Sequence, residues 1–256
     1  MCHDIVMNGQ IFTHTDRTTE SCIAAISEDQ NYYGEITDMV RRFEKVAGRY
    51  IEKIIGQDRF AYAHSDTNDF YDLIEWSKSG GYQGSVILFY DFETGAVYEP
   101  FSKKRNVVYS NPVYAKGWYY FLQGDYDEKK ITLYRYIPGE LLEKETELST
   151  EAVELYNLRV IGNPVHVISQ DHRTFECYYP ERISFSLSPQ ESVIFMEDGK
   201  IYIEKWIEEG WDEEAGRATD QYNYYDKVIV KDYGGKILSE EVGGLYQAAD
   251  GTWWIA

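Results

Sequence analysis

A strand-pair unit returns along this chain about every 45 residues, a period that marks a repeat architecture with one supersecondary element per copy. It runs from Asp4 to Asp16 around Gly9, then as Tyr50 to Gly56 followed by Phe60 to Asp66, then from Val113 to Asp125 around Gly117. Further copies run from Leu158 to Asp171 around Gly162, from Ser192 to Glu208 around Gly199, and from Leu245 to Ala256 around Gly251. A unit of this size cannot bury its apolar face alone, so its copies must stack or form a ring.

Each unit runs on into a second hairpin. Asp16 is followed by Ser21 to Ser27 and Tyr32 to Ile36, and Asp66 by Ser85 to Tyr90, Thr94-Gly95 and Ala96 to Phe101. After Asp125 come Ile131 to Tyr136, Pro138-Gly139 and Leu141 to Leu148; after Asp171 come Thr174 to Tyr179 and Ile183 to Leu187. The fifth copy continues through Asp226 to Lys231, Gly234-Gly235 and Lys236 to Val242, whereas the sixth ends after two strands. Turn residues of these types allow tight hairpins. Four-stranded antiparallel units repeated radially make a β-propeller. The expected fold is therefore all-β, a single propeller domain over residues 1–256, with six blades of which the last is incomplete. Five blades with a spare C-terminal hairpin, or a last blade completed by the N-terminal strands, are the alternatives. The 24 tyrosines favour strands, and 6 prolines without a Ser/Gly-rich stretch leave no linker visible.

The third unit, Gly117-Trp-Tyr-Tyr-Phe-Leu-Gln-Gly-Asp125 through Ile131-Thr-Leu-Tyr-Arg135, resembles the repeats of six-bladed low-density-lipoprotein-receptor-type (YWTD-like) propellers and their bacterial relatives. In those repeats a tyrosine-rich strand, a polar Asp-containing turn and a Leu-Tyr-Arg strand follow one another. The resemblance covers that one unit and implies a bacterial ligand- or protein-binding propeller without catalytic residues.

Two segments carry a helical signal. Thr37 to Ile55 spaces Val40, Phe43, Val46, Ala47, Tyr50, Ile51 and Ile54 as on a helix face. The repeat instead requires Tyr50 to Ile55 to be an inner strand, and that reading is preferred. Ser149 to Tyr156 begins with a capping serine and an acidic first turn, so it reads as a helical turn.

A formal charge of −19 repels phosphate backbones and argues against a nucleic-acid binder, which needs clustered Lys and Arg. Three cysteines, Cys2, Cys22 and Cys177, without a CxxC spacing indicate neither a disulfide framework nor a zinc site. Neither a metal nor a cofactor is expected. No apolar run is long enough for a membrane span. A monomer is expected, placed at the cell surface or secreted if an export signal has been removed, with Met1-Cys2 the one weak hint of such trimming.

The acid closing the second strand recurs as Asp16, Asp66, Asp125 and Asp171, with Glu208 equivalent. These rim acids either ring one face to hold a cation or polar ligand, or each starts a hairpin loop by accepting backbone N–H bonds. The second reading is favoured because the residue recurs in every unit. His14 and His64 take matching places beside Asp16 and Asp66 and, lacking a third ligand, read as inherited repeat residues. Trp118, Trp206, Trp253 and Trp254 fall on strands and are expected in the core.

Two long second-to-third-strand loops mix aromatics with carboxylates. The first holds Asp66, Asp69, Tyr71, Asp72, Trp76 and Tyr82; the second holds Trp211, Asp212, Tyr222 and Tyr224. Both would rise from one rim. Such a surface stacks on sugar rings or meets a basic protein. The expected function is thus a non-catalytic module binding carbohydrate or a basic protein surface. The alternatives are a propeller glycoside hydrolase or lyase with paired carboxylates, and a structural module of a surface assembly.

Overall fold

A computed structural model describes residues 40–256 together with the pairs Val6–Met7 and Gln10–Ile11. The chain divides into two compact units, residues 1–42 and 43–256. In the first, β1 (Val6–Met7) pairs antiparallel with β2 (Gln10–Ile11), Val6 opposite Ile11. The other strands expected before residue 37, with Asp16 and His14, lie outside the described residues.

The second unit is all-β apart from one short helix. Its first sheet runs β3 (Glu52–Lys53), β4 (Phe60–His64), β5 (Ile87–Asp91) and β6 (Val97–Tyr98) in spatial order. The second sheet contains β7 (Val107–Tyr109), β8 (Val113–Ala115), β9 (Trp118–Asp125), β10 (Lys130–Ile137) and β11 (Leu141–Ser149). β12 (Arg159–Ile161), β13 (His166–Gln170), β14 (Thr174–Tyr179) and β15 (Ile183–Ser186) form the third sheet. A fourth is built from β16 (Glu191–Glu197), β17 (Lys200–Asp212), β18 (Arg217–Asp232) and β19 (Ile237–Val242), and the hairpin β20 (Leu245–Gln247) to β21 (Trp253–Ile255) follows. Every pairing is antiparallel, and no sheet closes on itself. Where the turns are tight, the residues dictate them. Lys116 and Gly117 both have positive φ, 49° and 86°, the combination a two-residue hairpin needs to match strand twist.

Alternation decides what each sheet buries. Along β9, Tyr119 and Phe121 enter one core and Leu122 the other, while Trp118, Tyr120 and Gln123 are half-exposed. Successive sheets share cores. Phe60, Phe89, Tyr109 and Phe121 fill the space between the first and second, and Leu122, Leu133, Leu158 and Val167 that between the second and third. Ile168 and Phe175 meet Val193 and Ile201 between the third and fourth, and Phe195 meets Leu245 and Trp253 beyond them. Trp253 stacks on Phe195 with ring centres 4.6 Å apart. Finally, Gly56 N–H donates to Ala249 C=O at 3.0 Å, joining the last hairpin to the turn after β3.

Three expectations are corrected. From residue 40 to 51 the chain is irregular, and β3 is the whole of the strand expected at Tyr50 to Ile55. Phe43 and Ile51 pack on the first sheet, but Val46 and Tyr50 are 71% and 85% exposed, so a continuous helical face has nothing to bury against. The Ser149 segment makes one turn, Ala152 N–H to Ser149 C=O, and goes no further. Of the four tryptophans expected in the core, Trp206 and Trp254 are 46% and 64% exposed, because they stand where a flanking strand or sheet is missing.

Candidate functional site

The second expected loop is a β-structure. β16 pairs with β17 only as far as Lys205, and β19 pairs with β18 only back to Lys227. Beyond those points β17 and β18 continue, pairing Trp206 with Asp226, Glu208 with Tyr224 and Asp212 with Arg217. Trp206 N–H still donates to Gln190 C=O at 3.2 Å and Asp226 C=O still accepts Gly243 N–H at 2.9 Å, so residues 207–225 are a two-stranded arm uncovered by any other strand among the described residues.

Period-2 alternation places Trp206, Glu208, Tyr224 and Asp226 on one face of the arm. Tyr222 joins them, its hydroxyl donating to Glu208 Oε1 at 2.7 Å, and Trp211 lies edge-on to Tyr222 at 6.0 Å. Trp206, Trp211 and Tyr224 are 46%, 43% and 64% exposed. Successive rings tilt, by 64° from Trp211 to Tyr222 and by 51° on to Tyr224, so the face is ridged. Around it stand Glu208, Glu209, Asp212, Glu213, Glu214 and Asp220 against a single Arg217. Asp212 turns inward chemically: its Oδ1 accepts the N–H groups of Glu214 and Ala215, both at 3.0 Å, and holds the tip.

The first expected loop is mostly anchored. Asp69 Oδ1 accepts from Tyr71 N–H at 2.7 Å and Asp72 N–H at 3.2 Å, and Asp72 then leads into the helix α1 (Leu73–Lys78). Phe70, Leu73 and Tyr82 are buried in the core shared by the second and third sheets. As a ligand contact Tyr82 is corrected, since its ring is buried and its hydroxyl donates to Asp66 at 2.9 Å. Trp76 leans on Tyr82 at 5.6 Å, and Tyr71 meets Tyr156 edge-on at 5.7 Å. Among the described residues no hydrogen bond, ion pair or ring contact joins this connection to the β17–β18 arm.

Among the described rim acids, Asp171 and Asp125 are engaged locally. Asp171 accepts Arg173 N–H at 2.7 Å and Thr174 N–H at 2.6 Å, bonds that hold its carboxyl below the usual range. Asp125 accepts Glu128 N–H at 3.1 Å and pairs with Lys104 at 2.6 Å. The backbone N–H groups that Asp171 and Asp125 accept belong to their own turns. Among the described residues no three His, Cys, Asp or Glu side chains converge on a metal position. Burial pushes the Cys177 thiol up to about 11, so it stays protonated at neutral pH.

What sequence reasoning missed lies between the first three sheets. Ser110, Asn111 and Pro112 interrupt the first strand of the second sheet, leaving β7 opposite Gln123 to Asp125 and β8 opposite Trp118 to Tyr120. Proline has no N–H for the ladder, and Ser110 Oγ accepts Leu122 N–H at 2.9 Å in compensation. The break sets Asn111 on the wall of a cavity of about 370 Å³ with Asn68, Asp69, Phe70 and Arg159. Asn68 also borders a second cavity with Arg49, Glu52, His64 and Asp66. His64 Nε2 lies 3.1 Å from Asn111 Oδ1, the same oxygen that accepts from Asn68 Nδ2. That network puts the imidazole proton on Nε2 and leaves Nδ1 a buried acceptor with no partner. Burial lowers the His64 pKa, against the bond to Asn111, which raises it.

Comparison with known proteins gave no matching family model, no matching curated protein and no matching solved structure.

Proposed function

We propose that residues 43–256 are a β-propeller segment whose successive sheets are blades, and that the protein is a non-catalytic module docking a basic partner protein through the aromatic face of the β17–β18 arm. Supporting the radial reading, residues of all four sheets and the final hairpin, among them Ile54, Tyr114, Gly162, Ile194 and Trp253, line one further cavity of about 400 Å³.

The exposed, acid-bordered ridge of Trp206, Tyr224 and Trp211 carries the functional reading. Exposed tryptophans on an uncovered strand pair are costly to leave in water, and Trp and Tyr dominate interface hot spots, with truncation costs of about 2 kcal/mol or more. Tilted rings interdigitate with partner side chains better than they support a flat sugar. Bordering carboxylates attract a basic surface and speed its association.

A glycan is the second reading, favoured by the Tyr222–Glu208 pair beside Trp211, which offers an acceptor for hydroxyls next to a stacking ring. Screening by biolayer interferometry against basic proteins and soluble glycans, with wild type and Trp211→Ala/Tyr224→Ala, separates the two. Binding to a basic protein that weakens with salt and falls at least about tenfold in the variant supports docking. Salt-insensitive glycan binding lost in the variant transfers the assignment to sugar; equal binding by both forms refutes the arm as the site.

A further inference from the structure

The cavity between the first three sheets of residues 43–256 carries a second, separate assignment. We infer that it binds a small carboxylate-bearing hydroxylated ligand, such as a uronic acid unit, with Arg159 as the counter-charge.

Arg159 opens β12 and lines the cavity. Its Nη2 donates to Val193 C=O at 2.8 Å and its Nη1 reaches Asn157 C=O at 3.4 Å. A guanidinium has five N–H donors, so these bonds orient the fork and leave donors unspent. Both partners are carbonyls, which leave the charge uncompensated. Arg59, Arg135 and Arg182 each pair with a carboxylate; of the described arginines that do not, Arg159 and Arg49 are half-buried and the others are exposed. In a chain with 44 acids against 25 bases, that is not a shortage of carboxylates. Burial alone lowers the Arg159 pKa, the mark of a cation removed from water without an ionic partner. A ligand carboxylate can supply that partner through two parallel N–H bonds.

The rest of the wall selects the ligand's other groups. Asn111 Oδ1 is occupied by Asn68 Nδ2, which leaves Asn111 Nδ2 as a donor and Asn68 Oδ1 as an acceptor, both held in place by their mutual bond. Asp69 spends Oδ1 on two backbone N–H groups and keeps Oδ2 for a hydroxyl. A carboxylate on this wall opposes phosphate or any dianion, and it is satisfied by a monoacid that also carries hydroxyls. A volume of about 370 Å³ is at the small end for ligand pockets and suits one sugar unit.

The test is isothermal titration of the full chain with D-glucuronate and D-galacturonate, and with D-glucose, D-galactose and inorganic phosphate. Saturable binding of a uronate is expected, with the matching neutral sugar weaker by about tenfold or more, the worth of one charge-assisted contact. Arg159→Gln should abolish the preference for the acid. Because Arg159 also joins Val193, Asn68→Ala is the second variant, expected to weaken uronate binding several-fold with unchanged circular dichroism. Uronates that give no binding, bind no better than their neutral counterparts, or bind equally to wild type and to Asn68→Ala overturn the assignment, as does preferential binding of phosphate. The arm variant Trp211→Ala/Tyr224→Ala should bind uronate as wild type does, so this site and the docking arm fail independently.

Discussion

Asn68 Nδ2 donates to Asn111 Oδ1 at 2.8 Å, tying the connection after β4 to the break between β7 and β8. The same oxygen faces His64 Nε2, so one side chain serves a partner on β4 and another in the connection that follows it. Asn111→Ala removes the acceptor shared by His64 Nε2–H and Asn68 Nδ2 at a contact open to solvent. The expected loss is about 0.5–1.5 kcal/mol, the net worth of such a hydrogen bond. Urea unfolding followed by far-ultraviolet circular dichroism measures it; a loss below about 0.5 kcal/mol would show that water replaces Asn111 freely.

Stability should fall with acidification in two stages. Burial lowers the pKa of both His64 and His166 below 6.5, outweighing the bonds to Asn111 and Pro164 that would raise them. A neutral buried histidine takes up its proton more readily when unfolded, so the stability it confers is complete above pH 6.5 and declines as pH falls towards the folded value. Burial would raise Glu191, but Lys231 and Ser188 N–H hold it below 4.5, and its contribution is lost only as pH falls from there. Melting temperatures from pH 8 to pH 3 should show both stages. Asn111→Asp sets a carboxylate against His64, raises its pKa and flattens the first; an unchanged profile would remove His64 from the account.

Gly84 and Gly117 should respond differently to alanine although their φ angles, 91° and 86°, are alike. A Cβ on Gly84 would lie 1.8 Å from Lys104 C=O, backbone that cannot swing aside, while one on Gly117 meets nothing within 4 Å. Gly117→Ala carries the conformational cost alone, about 1–2 kcal/mol. Gly84→Ala should cost several kcal/mol more or prevent folding, as read by soluble yield and thermal unfolding. Equal costs would place the 84–104 approach wrongly.

Lys231 Nζ and Glu191 Oε2 are 2.9 Å apart, with both side chains 8% exposed. Replacing one partner leaves a buried charge, so Lys231→Met or Glu191→Gln should each cost about 3–5 kcal/mol. The double replacement should recover much of that, and a double-mutant cycle in urea measures the coupling. Additive losses would contradict the pairing.

The strands were legible where apolar and aromatic residues pack into the cores between sheets, as along β9, β10 and β14, and where the turns joining them carry Gly or Asp. Where both faces meet water the signal vanishes. Residues 208–225 read as a loop since acids and aromatics follow no period of two, yet backbone pairing continues through them. Helix α1 spans six residues, too few for a helical period to emerge from the flanking loop. Asn68, Asn111 and Arg159 belong to no motif. They come from three sheets or connections, and only the packing of those sheets gathers them at one cavity. Proline at 112 was the available sign that a strand breaks there.

The docking account is tested most directly by a photo-crosslinking amino acid placed in turn at Trp211, Tyr224 and Ile207, the last on the opposite face of the arm. With the basic partner from the binding screen, the account predicts crosslinks from 211 and 224, none from 207, and their disappearance at high salt. Crosslinks of equal yield from all three positions, or from 207 alone, would contradict a partner held by the aromatic face.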